Sequence, residues 1–387
     1  MRRIPFINLK AQYLSIKEEV KVALERVLES GVFTLGEEVG HFEKEFAQYC
    51  GTRYCVALNS GTSALHLALL AMGIKEGDEV LTTAYSFIAP AEAVSYTGAK
   101  PVFVDIDPLS FNIDVSRIRG AITKKTKAIL PVHLYGEPSR MDRLLEVARE
   151  YGLAVVEDAC QAHGAECLLV GEWKKVGTLG DIGCFSFYPT KNLAAFGEGG
   201  AVVTDNVEFY EKIRMLRNHG QKGKDYHPFL GYNYRMAAFQ GAILRVKLKR
   251  LNSWIEARRR KARLYSQLLE DTSLVIPKEA RDSRAVYHQY VVRTPKRDEL
   301  RGYLEERGIE TGLYYPLPIP LQEAYRSLGH KKGDFPAAEA CAQECLSLPL
   351  YPELGEEDIE YICYSIREWA KSSEEEVGES FLPKSKI

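Results

Sequence analysis

Apolar positions change their period along the chain. From about residue 15 to 29 they fall at Ile16, Val20, Ala23, Leu24, Val27 and Leu28, the spacing of an amphipathic helix, and SGVF stops the pattern. GEEVGHFEKEFAQYCG reads as a second such helix, with Val39, Phe42, Phe46 and Tyr49 on one face. Short apolar runs then take over: CVAL, EVLTT, PVFVD, KAILPVH, LAVVED, IGCFSF and GAVVT, with helical stretches between them. This alternation predicts βαβ units and a mostly parallel sheet covered on both faces. LAVVED, apolar on both sides, suits a strand buried in the middle. The sheet region is expected to end near Thr204.

Beyond it, GYNYRMAAFQGAILRVKLKRLNSWIEARRRKARLYSQLLE predicts a long helical run with a basic second half from Arg245. Ile243, Leu244, Val246, Leu248, Leu251 and Trp254 interleave with the basic residues. The run is therefore read as a half-buried helix with a solvated face, not a nucleic-acid surface. A smaller unit follows: strand VYHQYVVR, helix RDELRGYLEERG, the proline-rich loop YYPLPIPLQEAY, and a closing helix in PELGEEDIEYICYSIREWA. The expected organisation is a large domain over 1–250 that includes the N-terminal helical segment, a small α/β domain over 251–370, and a frayed polar tail over 371–387.

Composition narrows the function classes. Fifty-one Lys plus Arg against fifty-three Asp plus Glu give a net charge of −2, which argues against a nucleic-acid-coating protein. Asn8, Lys10 and Gln12 interrupt the only stretch placed to be a signal peptide, and no apolar run approaches the ~20 residues of a membrane span, so the expected compartment is the cytoplasm. The eight cysteines are expected as reduced, mostly buried thiols. Cys160, His163, Cys167 and Cys184 raise the question of zinc. Their C-x2-H-x3-C spacing is not a strong metal pattern and shows no evident fourth ligand, so no metal is expected.

In an open α/β sheet, ligands bind beyond the carboxyl ends of the strands. After CVAL comes NSGTSALHLAL, a turn over Asn59–Thr62 and a helix starting near Ser63. Gly61 permits close backbone approach, and helix N–H groups beside the Thr62 and Ser63 hydroxyls suit a phosphate; plain helix capping is the alternative. It is no Walker loop, since G-x4-G-K-[ST] is absent. Phe87, after EVLTT, is placed to cover a flat ligand or else to pack in the core. Glu157 and Asp158 close LAVVED, where a buried carboxylate needs a partner. Asp158 suits a protonated heterocyclic nitrogen, or a helix N-cap; Gln161 offers an amide to a nearby oxygen. Lys191, in SFYPTKNLAAFGEGGAVV, is a lone ammonium among apolar and glycine neighbours. Burial there lowers its pKa and frees the amine as a nucleophile, against the alternative of a snorkelling surface lysine. Ser186 adds a hydroxyl at the preceding strand's end.

Together these groups match a planar pyridine with a phosphate arm, a ring nitrogen, a phenolic oxygen and an aldehyde, which is pyridoxal 5'-phosphate (PLP). From PFINLKAQY to LSLPLYPEL the chain resembles the DegT/DnrJ/EryC1/StrS family of sugar aminotransferases. The motifs are NSGTSALHLAL, GDEV, VFVDID, PVHLYG, EDACQAHGA, SFYPTKN, GEGGAVVT, RMLRNHG and GYNYRM. The resemblance implies the PLP-dependent type I aminotransferase fold, α/β with a mostly parallel seven-stranded sheet between helices and a smaller C-terminal domain. It implies Lys191 as the Schiff-base lysine, Asp158 at the pyridine nitrogen and Gln161 beside the ring oxygen. Thr62, Ser63 and Ser186 correspond to the phosphate cradle, and Phe87 to the ring stacked on the cofactor. Asn233 resembles an asparagine that reaches the phosphate of the neighbouring subunit, which implies a homodimer with shared active sites. Arg235, Tyr314 and Tyr315 fall where relatives contact the nucleotide-sugar.

The implied reaction moves the amino group of L-glutamate to a ketone on a nucleotide-linked sugar. INLKAQYLSIKEEV most resembles enzymes of 3-keto sugars, often dTDP-linked 6-deoxyhexoses; a UDP-2-acetamido-3-keto sugar comes next and a 4-keto sugar third. Two other classes share the fold: a PLP-dependent sugar dehydratase, whose members replace the lysine with histidine, and a non-enzymatic PLP-binding regulatory protein. Retention of Lys191 and Asp158 argues against both. Two departures stand out. Tyr314-Tyr315-Pro316 replaces a common His-Tyr-Pro, and many relatives carry a second histidine near the position of Pro320. ECLLVGEWKKVGTLGD is longer between its glycine turns than in relatives, and an altered surface loop is expected there.

Overall fold

A computed structural model describes residues 2–380, of which 373–380 are described as helical backbone only. Its centre is a seven-stranded sheet of β1 (Tyr54–Leu58), β2 (Glu79–Thr83), β3 (Lys100–Val104), β4 (Thr126–Leu130) and β5 (Ala154–Asp158), with β8 (Ile182–Ser186) and β9 (Gly200–Thr204). Between β5 and β8 lie the short strands β6 (Glu166–Leu169) and β7 (Glu172–Lys175). The sheet order is β1-β9-β8-β5-β4-β2-β3, and only β9 runs against its neighbours. Each strand coincides with one of the apolar runs, because strands covered on both faces have no polar side to show.

Alternation of side chains along β5 sorts them between two cores. Val155 joins the core built with the helices Gly36–Cys50 and Met141–Tyr151, whereas Val156 joins the core built with the helix Gly61–Ala71. Glu157 therefore faces the first side and Asp158 the second. The carboxyl ends of β1, β2, β4, β5 and β8 lie at one end of the sheet, because these five strands share a direction.

The segment expected as an altered surface loop is an antiparallel hairpin, β6–β7, whose first strand also pairs with β10 (Ser283–Arg284). Glu166 bonds Arg284 across this sheet at 2.8 Å. The expected single helical run after Gly231 is corrected in two ways. Residues 231–237 are extended, bridging Asn218 with Asn233 and Leu58 with Arg235, so their backbone bonds are made to other segments and not along a helix. The helices Ala238–Leu248 and Leu251–Leu269 then follow, separated at Lys249–Arg250. Their basic face is not wholly solvated. Arg258 is buried and donates to the carbonyls of Tyr287, His288 and Leu350, and Lys247 is buried against Phe196 and Trp254.

A smaller core forms around β11 (Tyr290–Arg293) and β12 (Cys345–Leu348), which pair antiparallel. Helix Leu251–Leu269 serves both units, with Leu251 and Ile255 in the large core and Ala262, Tyr265 and Leu269 in the small one. Ile4 also packs in the small core and bridges Ile309. The closing helix, Glu356–Ser380, continues through Lys371, where the frayed tail was expected to begin; residues 381–387 of that tail lie outside the described residues. Among the described residues no helix is long and apolar enough to cross a membrane.

Candidate active site

The turn after β1 builds one wall. Ser60 is the N-cap of helix Gly61–Ala71, its Oγ accepting the Ser63 N–H at 3.1 Å. The Ser63 hydroxyl is used within this cap, donating to Asn59 Oδ1 at 2.7 Å and lying 2.8 Å from Ser60 Oγ. Gly61 is required by crowding: a Cβ there would lie 2.6 Å from Ser186 Cβ and 3.0 Å from Cys160 Sγ. The first N–H groups of a helix have no partner within it, so this wall presents donors and a positive dipole end beside Thr62 and Ser186.

These groups open on a cavity of about 740 Å³. Gly61, Thr62, Phe87 and Ser186 line it, and so do Asp158, Gln161, Lys191, Tyr314 and Tyr315. Ser63, Asn233 and Arg235 do not. Asn233 is exposed on the Asn218 bridge, and Arg235 donates to Asn218 Oδ1 at 2.9 Å while its buried Nε has no partner. Phe87 is 57% exposed, which fits a cover over the cavity and not a core residue.

Asp158 ends β5 and is buried, its Oδ1 accepting the Cys160 N–H at 3.0 Å. The residues after it are turns, so it caps no helix. Burial raises its carboxyl above the usual range, and contacts with Cys160, then the charges of Lys191 and His133, oppose this. A cationic N–H in the cavity would meet the remaining lone pairs and favour the ionised carboxylate. Lys191 is half-buried. Desolvation pulls its amine below the ordinary lysine range, against the opposing effects of Cys160 and Asp158. Snorkelling is thereby set aside. The donors of the helix start, the carboxyl and the amine fit the phosphate, ring nitrogen and aldehyde of PLP.

Several lining residues were not singled out from the sequence for this cavity. Ser60 stands in the same motif as Gly61 and Thr62. Cys160 neighbours Gly61, a closeness only the fold reveals. His288 comes from the small unit, just before β11, and its buried Nδ1 has no partner. Its signal, a histidine inside the apolar VYHQYVVR, is legible in retrospect. The cysteine and histidine grouping weighed for zinc is dispersed: Cys160 Sγ approaches the Cys184 carbonyl at 3.8 Å, and His163 lies against Phe185 and Phe187. Among the described residues no group of three or more His, Cys, Asp or Glu is placed to hold a metal ion.

Comparison with known proteins identifies the family of the chain. The profile of the DegT/DnrJ/EryC1/StrS aminotransferase family matches residues 14–367. A pleiotropic regulatory protein of Geobacillus stearothermophilus is 46% identical over 369 residues, covering 95% of this chain and 98% of that one. A dTDP-3-amino-3,4,6-trideoxy-alpha-D-glucose transaminase of Streptomyces venezuelae is 44% identical over 370 residues, covering 95% and 97%. Among solved structures, S. venezuelae DesV in complex with a ketimine intermediate superposes with a TM-score of 0.93 at 44% identity, covering 96% of this chain and 99% of that one. The chain belongs to the DegT/DnrJ/EryC1/StrS aminotransferase family.

Proposed function

We propose that this protein is a PLP-dependent transaminase that moves the amino group of L-glutamate to the keto carbon of a nucleotide-linked sugar, with a dTDP-3-keto-6-deoxyhexose as the best fit. The observation that carries the reading is one cavity lined by a desolvated lysine, a buried carboxyl and a helix N-terminus. The 3-amino sugar in the name of the Streptomyces relative supports the position of the ketone.

When bound, PLP supplies a carbonyl carbon that carries the amino group and a ring that takes up the electron pair left on the substrate carbon. The protein's own groups do the rest. Helix Gly61–Ala71, with Thr62 and Ser186, would hold the phosphate. Asp158 would pair with the ring nitrogen and keep a proton on it. Lys191, its amine held below the ordinary lysine range by desolvation, would anchor the cofactor through its carbonyl carbon and would carry the proton released from the substrate carbon. Phe87 covers one face and keeps water out.

The regulatory name of the Geobacillus relative favours a second reading, a cofactor-binding regulator. Regulation alone would leave the Lys191 and Asp158 pair without chemical work, whereas amine transfer uses both. L-Glutamate added to the PLP-loaded protein separates the two: a transaminase converts the visible cofactor band to that of the amine form and releases 2-oxoglutarate. A panel of 3-keto and 4-keto sugars on dTDP and UDP then identifies the acceptor. A band unmoved by glutamate would refute the enzyme.

The reading extends to a homodimer working in the cytoplasm, where nucleotide-linked sugars are made. Asn233 lies outside its own cavity and is exposed, and Leu230, three residues earlier, is 95% exposed, which suits a contribution to the partner's phosphate site. Mixing inactive Lys191→Ala and Asn233→Ala proteins should restore activity in hybrid dimers, since one of the two shared sites is then intact. No recovery after subunit exchange would count against shared sites.

A further inference from the structure

Gln161 touches two loops at once. Its Oε1 accepts the backbone N–H of Tyr135 at 2.8 Å, and its Nε2 donates to the Tyr315 hydroxyl at 2.9 Å. The orientation of the amide follows from chemistry. A backbone N–H can only donate, so the carbonyl end faces Tyr135 and the amino end faces Tyr315. One of the two side-chain N–H bonds is thereby used. The other is fixed in the same plane, on a side chain that lines the cavity together with Tyr315.

Tyr315 is itself held from several directions. Its ring stacks on Tyr135 at 6.1 Å and 19°, and meets Tyr85 edge-on at 5.7 Å. The Tyr85 hydroxyl lies 3.3 Å from that of Tyr135 and donates to the Tyr314 carbonyl at 3.3 Å. Tyr135 and Tyr315 both have φ of 57°, a left-handed conformation that tyrosine keeps only where its surroundings impose it. Burial raises the Tyr315 hydroxyl above the usual tyrosine range, against the Gln161 contact, so the group that accepts from Gln161 is a neutral hydroxyl. Tyr314 makes no such contact with Gln161; its ring lies toward Phe6, 6.0 Å away.

We propose that Tyr315 is a positioning residue for the cofactor: by accepting one N–H of Gln161 it fixes the amide so that the other points at the phenolic oxygen of PLP. This rests on the PLP reading above, and it separates the two tyrosines, with Tyr315 serving the cofactor and Tyr314 left to the substrate side. A hydrogen bond donated to that oxygen stabilises its anionic form. It thereby lowers the pH at which the lysine-bound cofactor gives up its proton.

The test is an absorbance titration of the PLP-loaded protein without substrate. Gln161→Ala should raise the pH midpoint of the visible band by about 0.5–1 unit, the worth of one such bond. Tyr315→Phe, which removes a single oxygen, should raise it by a smaller amount, because the untethered amide still spends part of its time on the cofactor. The double variant should match Gln161→Ala alone, since Tyr315 acts only through Gln161. An unmoved midpoint in Tyr315→Phe, or shifts that add in the double variant, would overturn the proposal. A wild-type protein with no lysine-bound visible band would overturn the function itself, and this inference with it.

Discussion

Glu157 and Asp158 are neighbours at the end of β5, and both are buried. Glu157 receives donors on both oxygens: Leu179 and Gly180 N–H on Oε1 at 2.6 and 2.7 Å, Gly177 N–H and His133 Nε2 on Oε2 at 2.7 and 3.0 Å. His133 is fixed as the donor, because its Nδ1 accepts the Ser139 N–H at 3.0 Å and so leaves the proton on Nε2. Asp158, one residue on and on the opposite face, takes a single backbone N–H at 3.0 Å and turns toward the cavity. The difference shows how one fold divides two carboxyls between structure and chemistry. A carboxylate whose lone pairs are met by the protein's own N–H groups ties loops together, whereas one left with lone pairs facing a cavity is set to hold a ligand's charge.

The largest effect is expected on the cavity side. Lys191→Ala removes both the anchor and the proton carrier, and should lower turnover by about 10⁴-fold or more, with loss of the lysine-bound cofactor band. Turnover within tenfold of the native protein would show that another amine does the work. The two carboxyls should then fail in different ways. Glu157→Ala strands three backbone N–H groups and His133 in the interior, and should cost about 3–5 kcal/mol of unfolding free energy in denaturant titration. Its folded fraction should turn over nearly normally. Asp158→Asn should lose about 10²–10³-fold in kcat, the scale of removing one electrostatic partner from a reacting group. Its stability should change by no more than about 1 kcal/mol. An exchange of these two phenotypes would break the comparison.

Much of this was legible in the sequence, and the reasons differ by element. The seven strands were readable because burial on both faces makes each a short, mostly apolar run. Asp158, Lys191 and Gly61 were readable because charge or glycine stood where such runs end. The partners of Glu157 were not readable, because it bonds to groups of the 177–180 turn, whose nearness depends on loop geometry; the cap that engages Ser63 was the alternative the sequence offered for that turn. The hairpin β6–β7 escaped because its strands are short and half-exposed, and its third partner β10 lies over a hundred residues away. Residues 231–237 read as helix because local spacing cannot reveal that their backbone partners include Leu216, Arg217, His219, Asn59 and Leu35. His288 and Tyr135 required the small unit to be laid over the end of β5, which no local pattern encodes.

His163 sharpens the comparison, because the loop after β5 handles it in a third way. It is fully buried between Phe185 and Phe187, at ring distances of 5.4 and 5.6 Å, and neither ring nitrogen has a hydrogen-bond partner. Burial, reinforced by the Lys191 charge, lowers its pKa to about 3; the Ser186 backbone opposes the shift without reaching hydrogen-bonding geometry. The imidazole is thus kept neutral, neither given hydrogen-bond partners like Glu157 nor turned to the cavity like Asp158. The sign of its linkage follows. Between about pH 6.5 and 3 the unfolded chain binds a proton at this position that the folded chain refuses, so stability falls with pH by about 1.4 kcal/mol per unit across that window. His163→Phe removes this contribution and leaves the other titrating groups in place. The stability of the variant relative to the native protein should therefore rise by about 2 kcal/mol between pH 8 and pH 5, read from denaturant midpoints at matched ionic strength. Parallel curves for the two proteins would mean that the folded imidazole takes up a proton as readily as the unfolded one, and the segment after β5 would then hold one kind of buried group fewer.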